Sequence, residues 1–165
     1  MIEQPIDHTI RTVGGDSFSL KVYRGMPLLI VNTACGDQTH SHQFSELETL
    51  YERYAPRGFE IVAIPCDDFG NEFSTDAEVA SFLSLHYSLS FQIGSLSRCT
   101  GADQSRVFRS LSSFSGPATR GPILGSFTKF LVDADGYAVD RFAPAVSPLD
   151  PSLLAALVCA LPTNK

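Results

Sequence analysis

The pattern of apolar and polar residues predicts two buried strands joined by an amphipathic helix. Segments 28–33 and 59–64 are nearly all apolar, which is typical of strands covered on both faces. Between them, over 41–54, apolar residues recur at spacings of three and four and so share one helical face: Phe44, Leu47, Leu50, Tyr51 and Tyr54. A strand, a helix and a second strand of this length form a βαβ unit with parallel strands and a right-handed crossover.

Turn residues predict a β-hairpin on each side of this unit. A Gly-Gly-Asp turn separates two short β-prone segments, 9–13 and 18–22. An Asp-Ala-Asp-Gly turn separates 127–132 from 137–142 in the same way. We therefore expect one hairpin near the N-terminus and another late in the chain.

Capping signals predict two helices between the βαβ unit and the second hairpin. Thr75 and Glu78 form a capping box, which opens a helix that runs to about residue 87. A further helix is expected over 104–112. The segment 112–125 is rich in serine, glycine and proline, so it should be a loop.

A last helix should begin at Asp150, with Asp as the N-cap and Pro151 at the first helical position. Because 153–161 is nearly all apolar, we expect this helix to pack closely on the sheet. The order of elements predicts an α/β protein with a thioredoxin-like layout: a central mixed β-sheet flanked by helices, preceded by an N-terminal β-hairpin. We expect residues 1–165 to form a single domain.

Composition and charge exclude two classes of partner. Of 165 residues, 44% are hydrophobic and 18% are charged, and the net charge is −6. Binding to nucleic acid or to an anionic membrane surface needs a basic face, so neither is expected. No apolar run approaches the roughly 20 residues of a membrane helix, and segment 1–11 lacks the layout of a secretory signal. We expect an intracellular protein, of the cytoplasm or the mitochondrion, that does not insert into a membrane.

The four cysteines lie far apart, with no CxxC motif and no zinc-knuckle spacing. In an intracellular protein this pattern favours four free thiols. We expect Cys99 in a loop and Cys159 facing the core. Cys35 differs from the others because it follows a buried strand and precedes a helix. The positive end of a helix lowers the pKa of a thiol and favours the nucleophilic thiolate.

Several segments together resemble the glutathione peroxidase family, over about residues 14–153. The most specific is Phe-Thr-Lys-Phe-Leu-Val-Asp at 127–133. Others occur in family order and at family spacing: 28–32, 54–58, 61–66, Phe69-Gly70, Gly136, Arg141-Phe142 and Pro144. The resemblance implies a thioredoxin-like fold and reduction of hydroperoxides by thiols. It also implies a reactive cysteine or selenocysteine supported by a glutamine, a tryptophan and an asparagine.

The resemblance places the reactive residue five positions after the strand-end Asn32, which is Asp37. The supporting glutamine corresponds to Glu72, and the tryptophan and asparagine correspond to Gly125 and Ser126. The chain contains no tryptophan at all. All four family positions are therefore occupied by other residue types.

A second thiol is also missing at its family position. The non-selenium members carry a resolving cysteine on the helix after the capping box, and that position falls near Ser84. Cys66 corresponds to a family cysteine that packs rather than reacts.

Two interpretations of the reactive position stay open. A carboxylate cannot become a sulfenic acid and be reduced by a thiol, so Asp37 does not fit the family reaction and suits a capping role at the helix start. Cys35 keeps the following glycine of the family nucleophile. If the turn is rearranged by two residues, its thiol reaches the helix start. Otherwise, Cys35 is a small side chain at the end of the strand.

The replaced pocket should be acidic if the family geometry holds. Asp37 and Glu72 would then come together, with Asp67 and Asp68 on the loop that carries Glu72. Glutathione is an anion, so we expect this face to disfavour it.

No cofactor is expected, and a metal site is only a weak hypothesis. Cys35, Asp37, His40 and His42 lie within eight residues, and Glu72 could approach them. The favoured interpretation is that His40 and His42 are solvated residues leading into the helix and bind no metal.

Three functions follow as hypotheses. In the first, a member of this family has kept the fold, lost the chemistry and acts as a binding module or structural subunit of a larger assembly with other proteins. In the alternative, the protein is an active thiol-dependent hydroperoxide reductase that uses Cys35. A weaker third hypothesis is a ligand-binding or metal-binding carboxylate pocket. Because the loop 112–125 is short, we expect the insertion with which some members tetramerise to be missing, and the monomeric branch is the better comparison.

Overall fold

The computed structural model describes residues 2–162. Its strands are β1 (Thr9–Arg11), β2 (Ser17–Ser19), β3 (Leu28–Thr33), β4 (Glu60–Pro65), β5 (Gln92–Ile93), β6 (Lys129–Val132) and β7 (Ala138–Phe142). Its α-helices are α1 (Gln43–Tyr54), α2 (Asp76–His86), α3 (Arg106–Ser113) and α4 (Pro151–Ala160).

The predicted thioredoxin-like α/β layout is confirmed. The main sheet has five strands in the order β5-β4-β3-β6-β7, and β1 pairs with β2 as a separate antiparallel hairpin. Strands β3, β4 and β5 run parallel, whereas β6 and β7 are antiparallel additions. The sheet is therefore mixed, with β3 as its central strand, and β3, α1 and β4 form the predicted βαβ unit.

Strand β3 is buried on both faces because each face meets a different helical layer. Leu29 and Val31 belong to a cluster that also holds buried side chains of α1, α2 and α4. Leu28 and Ile30 point to the opposite cluster, which contains the buried side chains of α3. Side chains alternate along a strand, so a strand covered on both sides reads as one continuous apolar run.

The predicted helix caps are present. Thr75 Oγ1 accepts a hydrogen bond from the N–H of Glu78 at 3.2 Å, which is the N-cap bond of the predicted capping box. The Glu78 carboxylate accepts from the Thr75 hydroxyl at 2.9 Å. Asp150 Oδ1 accepts a hydrogen bond from the N–H of Ser152 at 2.8 Å at the start of α4.

The first hairpin is shorter than the β-prone residues predicted. After Ser19 the chain turns into a 3-10 helix, Leu20–Tyr23. The Ser19 hydroxyl accepts a hydrogen bond from the N–H of Lys21 at 3.2 Å and so caps this turn. Val22, which was expected in a strand, is 62% exposed on the 3-10 helix.

Other boundaries shift by one or two residues, and one strand was not predicted. Helix α1 begins at Gln43 rather than at residue 41, and β4 includes Pro65, which pairs with Thr33 at the end of the ladder. The unpredicted strand is β5, whose two residues are too few to show any alternation.

The expectation for Cys159 is wrong. Helix α4 buries Leu153 and Leu157, whereas Val158 is 44% exposed and Cys159 is exposed. A helix in the outer layer presents one stripe to the sheet, even when its sequence is apolar all round. Cys35, Cys66 and Cys99 are buried. Within residues 2–162, no helix combines the length and apolar character needed to cross a bilayer.

Candidate functional site

The end of β3 brings Cys35 against position 72. Cys35 follows β3 by two residues and is 3% exposed. Its N–H donates a hydrogen bond to Glu72 Oε2 at 3.1 Å, and Glu72 Oε1 accepts one from the N–H of Phe73 at 2.8 Å. The charge of this carboxylate also acts on the Cys35 thiol. Cys35, and not Asp37, therefore occupies the neighbourhood of residue 72.

The surroundings of Cys35 favour the protonated thiol. Burial raises the pKa of the Cys35 thiol far above its ordinary value, and the negative charge of Glu72 raises it further. Burial also raises the pKa of Glu72, against the hydrogen bonds from Phe73 and Cys35, which lower it. Since the thiolate is the nucleophile, both effects oppose activation of Cys35.

Gly36 joins the loop after β3 to the loop that carries Glu72. Its N–H donates a hydrogen bond to the backbone oxygen of Asn71 at 2.7 Å. A Cβ at position 36 would lie 2.8 Å from that same oxygen, so only glycine fits this approach. Asn71 has a φ of 65°, a left-handed conformation that asparagine tolerates.

Asp37 caps a turn that precedes α1. Its Oδ1 accepts hydrogen bonds from the N–H groups of Thr39 and His40, both at 3.1 Å, and its Oδ2 lies 2.9 Å from His40 Nδ1. Helix α1 begins only at Gln43, after His42, whose side chain makes no cap. Neither Cys35 nor Asp37 lies at the helix start, because extra turns fill residues 37–42.

The family positions 125 and 126 lie in a loop held by Asn32. Asn32 Nδ2 donates to the backbone oxygen of Gly125 at 3.0 Å, and Asn32 Oδ1 accepts from the N–H of Thr128 at 2.9 Å. Within this loop Phe127 has a φ of 68°, and Ser126 is buried. The loop lies close in space to the end of β3. Its glycine and serine provide neither an indole nor a side-chain amide that could donate a hydrogen bond to a thiolate.

The expected acidic pocket is only partly assembled. The Asp68 carboxylate accepts hydrogen bonds from the N–H of Cys99, the N–H of Thr100 and Thr100 Oγ1, at 3.0, 3.1 and 2.7 Å. These bonds hold it beside the loop after β5. Asp67 is exposed, and its charge adds to burial in raising the pKa of Glu72. The Asp37 carboxylate is hydrogen-bonded to His40. The acidic side chains therefore do not converge on one point where they could bind a common ligand.

The two histidines are separated. His40 is tied to Asp37, and its ring centroid lies 6.2 Å from that of Phe127. His42 is exposed, with Nε2 at 3.5 Å from Glu46 Oε1. Their imidazoles therefore serve different local contacts.

Lys129, the basic residue closest in sequence to the loop that carries Gly125 and Ser126, is buried. Lys129 is 0% exposed, and its Nζ donates to Gln43 Oε1 and the Phe127 oxygen, both at 2.7 Å, and to the Pro144 oxygen at 3.2 Å. Burial lowers the pKa of Lys129 to about 7. Arg141 donates to backbone oxygens of the loop before β6. Both cations therefore support the scaffold rather than attract an anionic thiol.

Ser84, at the position of the family's resolving cysteine, lies exposed near the end of α2. Its hydroxyl donates to the backbone oxygen of Ser81 at 3.1 Å. A hydroxyl cannot form a disulfide, so this helix offers no resolving thiol at that position.

A second group of side chains was not predicted. Cys66, Asp68 and Cys99 place their sulfur and oxygen atoms within 4.8 Å of one another. Burial raises the pKa of the Cys66 thiol, and Cys99 and Asp68 raise it further. The sequence offered no spacing signal for this group, because Cys99 reaches it only through an isolated pairing of Cys66 with Ser97.

Comparison with known proteins links the chain to the family that its sequence motifs resemble. A family model described as glutathione peroxidase matches residues 6–112. A relative from Arabidopsis thaliana, named a probable phospholipid hydroperoxide glutathione peroxidase 6, mitochondrial, is 39% identical over 144 residues, which are 87% of this chain and 62% of that protein. A probable phospholipid hydroperoxide glutathione peroxidase from Mesembryanthemum crystallinum is 37% identical over 143 residues, covering 86% of this chain and 84% of that protein. The chain thus spans less than two thirds of the first relative's length.

A solved structure shows the same fold. The crystal structure of Trgpx in apo form superimposes with a TM-score of 0.76 at 21% identity, covering 97% of this chain and 96% of that one. At this identity the match shows the arrangement of elements alone.

Proposed function

Since this chain belongs to the glutathione peroxidase family, we propose that it keeps the family fold but does not reduce hydroperoxides by the family's route. The observation that carries this proposal is the contact between Cys35 and Glu72. A carboxylate stands where the family has an amide, and it faces the thiol that would have to ionise. These surroundings favour a Cys35 thiol that is buried and uncharged.

Peroxide reduction requires a thiolate that meets the O–O bond, becomes a sulfenic acid and is then reduced by a second thiol. Cys35 is 3% exposed, and both burial and Glu72 raise its pKa. Position 84 supplies no resolving thiol, and Gly125 and Ser126 supply no donor to stabilise a thiolate. Each step of the family reaction lacks a group that it needs.

In this proposal the protein acts through its surface, as a binding or structural subunit of an assembly with other proteins. Two leucines support it: Leu85 is 80% exposed on α2, and Leu124 is 79% exposed beside the loop that carries Gly125. Glutathione is disfavoured, because Lys129 is buried and the Arg141 guanidinium is bound to backbone oxygens. We place the protein inside the cell, since its relatives include one named mitochondrial.

One observation favours the alternative, an active peroxidase that uses Cys35. The thiol lies beside residue 72, which is where the family's supporting glutamine would contact its nucleophile. In that case the loop after β3 has moved Cys35 into the reactive position, and Glu72 would have to accept the thiol proton. The high pKa of Cys35 weighs against this function.

A sulfenic acid trapping experiment separates the two functions. The Cys159→Ser variant removes the exposed thiol, and it is treated with hydrogen peroxide and dimedone before intact mass spectrometry. We expect no rapid adduct at Cys35, and no thioredoxin-coupled or glutathione-coupled turnover. A fast adduct that disappears in the Cys35→Ser, Cys159→Ser double variant would instead establish the peroxidase.

The assembly role has its own test. Affinity purification from the native extract, followed by size-exclusion chromatography, should place the protein in a complex larger than the 17.9 kDa monomer. Replacing Leu85 and Leu124 by serine should release it. A monomeric peak for the unmodified protein contradicts the subunit role and leaves the result on Cys35 unaffected.

A further inference from the structure

We infer that Cys66, Asp68 and Cys99 form a binding site for a thiophilic divalent cation of the zinc class. Their two sulfur atoms and a carboxylate oxygen lie within 4.8 Å of one another, and both cysteines are 0% exposed. Thiolate sulfur with a carboxylate oxygen is a donor set that suits zinc and its relatives. This inference concerns a different part of the molecule from Cys35 and stands whether or not that thiol reacts.

The backbone already holds the three ligands together. Cys66 extends the end of β4: its N–H donates to the Thr33 oxygen at 2.9 Å, and it forms an isolated parallel bridge with Ser97. Two residues after that bridge the chain reaches Cys99. Because this frame exists without the ion, binding needs little ordering of the chain, which favours affinity.

Asp68 fastens the second half of the frame. Its carboxylate accepts hydrogen bonds from the N–H of Cys99 and from two donors of Thr100. These three bonds fix the position of the carboxylate relative to the loop that carries Cys99. Two oxygens offer about four lone-pair sites, so one remains for a cation.

The distances suit the ion with a small adjustment. Zinc binds sulfur at about 2.3 Å and carboxylate oxygen at about 2.0–2.2 Å, so two sulfurs of a tetrahedral site lie about 3.8 Å apart. Donor atoms that now lie within 4.8 Å need to close by about 1 Å at most. Side-chain rotation of the two cysteines supplies movements of this size.

The polar surroundings complete the site. Asn32 Nδ2 lies 3.6 Å from Cys99 Sγ and directs an N–H toward the sulfur. Such an outer contact orients a ligand and stabilises its charged form. When the cation binds, two metal–sulfur bonds form and the two thiol protons pass to solvent, so the ligands carry three negative charges against the two positive charges of the ion.

An open cavity of about 410 Å³ is lined by Asp67, Ser97 and Arg98, which are neighbours of the ligands in sequence. The ligands themselves do not line it, so the cation reaches them only when the loop carrying Cys99 opens locally. In this inference three protein ligands hold the ion and a water molecule takes the fourth position.

Cobalt titration of the reduced protein tests the site, because thiolate-bound Co²⁺ absorbs in the near ultraviolet and tetrahedral Co²⁺ absorbs in the visible. We expect one equivalent of Co²⁺ to produce both bands and one equivalent of Zn²⁺ to abolish them. Zinc should also raise the melting temperature by several degrees, since it binds the folded chain more tightly than the unfolded chain.

Matched variants identify the ligands. Cys99→Ala should lose the bands and weaken zinc binding at least a hundredfold, whereas Cys35→Ser and Cys159→Ser should keep both. If Cys99→Ala does not fold, Asp68→Asn replaces it, with an expected loss of at least tenfold. Two results overturn the inference. In the first, the near-ultraviolet band of thiolate-bound Co²⁺ is absent from the parent protein. In the second, this band survives in Cys99→Ala and disappears in Cys35→Ser or Cys159→Ser.

Discussion

The Glu72 carboxylate accepts a hydrogen bond from the backbone N–H of Cys35 at 3.1 Å, and its negative charge raises the pKa of the thiol of the same residue. Position 72 thus acts on Cys35 in two ways. The backbone contact fixes where the residue lies, and the charge sets how easily the sulfur ionises. An amide at this position would remove the charge, and its single oxygen could keep the bond from the Cys35 N–H only by giving up the bond from the Phe73 N–H.

The Glu72→Gln substitution should therefore lower the pKa of Cys35. Burial remains the larger cause of the raised pKa, so the thiol stays harder to ionise than a free cysteine. Removing one adjacent negative charge should increase the alkylation rate at pH 8 by about tenfold, which corresponds to about one pKa unit. The measurement is iodoacetamide labelling of Cys35 in the Cys159→Ser background.

Glu52→Gln is the matched control, because Glu52 is exposed on α1. It carries the same change of charge and should leave the rate at Cys35 unaltered. If Glu72→Gln and Glu52→Gln label at the same rate, Glu72 does not control the ionisation of Cys35.

Gly36 should tolerate no side chain. An added Cβ would lie 2.8 Å from the Asn71 oxygen, and both partners are backbone, so neither can move alone. Gly36→Ala should push the two loops apart, break the hydrogen bond between them and destabilise the fold by about 1–3 kcal/mol. Urea unfolding measures the loss.

Gly116→Ala makes the same chemical change where there is room. Its Cβ would meet only the Ile2 Cδ1 atom, at 3.9 Å. This control should unfold within about 0.5 kcal/mol of the parent. Equal stability of the two variants would show that the loops at 36 and 71 do not depend on their close approach.

Most of the fold could be predicted because the longer strands show their burial in their apolar composition. The segment 28–33 is a strand with the predicted bounds, since six consecutive residues are covered on both faces. The caps at Thr75 and Asp150 are local in sequence and were equally visible. Cys159 was misplaced because an apolar helix does not reveal which stripe faces the sheet.

The site was harder to predict, for a geometric reason. Asn32 and Phe44 keep their family separation, so counting between them assigns the reactive position to Asp37. In the structure Cys35 lies against Glu72, and turns fill residues 37–42 before α1. A count of residues between two fixed positions does not show how the chain is folded between them, so it cannot tell which side chain meets residue 72.

Asn32 should be a main support of the loop that carries Gly125 and Thr128. Its side chain is 0% exposed and satisfies the Gly125 oxygen and the Thr128 N–H. Asn32→Ala leaves the buried N–H of Thr128 without an acceptor, whereas the Gly125 oxygen keeps its hydrogen bond from the Thr128 hydroxyl at 2.8 Å. One buried unpaired group costs about 1–3 kcal/mol, so we expect a loss of about 1–3 kcal/mol in the free energy of unfolding.

Gln38→Ala serves as the comparison, because Gln38 is an exposed amide in the turn before α1. It should change the free energy of unfolding by less than about 0.5 kcal/mol. A loss below 1 kcal/mol for Asn32→Ala, measured by urea unfolding, would mean that water replaces the amide and that Asn32 does not hold the loop.

Lys129 should make the stability of the protein depend on pH. Burial lowers its pKa from 10.5 to about 7 in the folded state. Between these two values the unfolded chain binds more protons at this site than the folded chain, so the free energy of unfolding rises with pH. Below about pH 7 both states are protonated and this dependence disappears. From pH 7 to pH 8 the expected gain is about 1 kcal/mol.

The Lys129→Met variant isolates this contribution. It removes the titrating group, although it also leaves the oxygens of Gln43 and Phe127 without their donor and so lowers stability at every pH. The informative quantity is the slope between pH 7 and pH 8, a range chosen to lie below the titration of unfolded thiols near 8.5. Urea unfolding should give a rising free energy for the parent and a slope smaller by about 1 kcal/mol per pH unit for the variant. Identical slopes would show that Lys129 keeps its proton inside the fold, stabilised by its three oxygen acceptors.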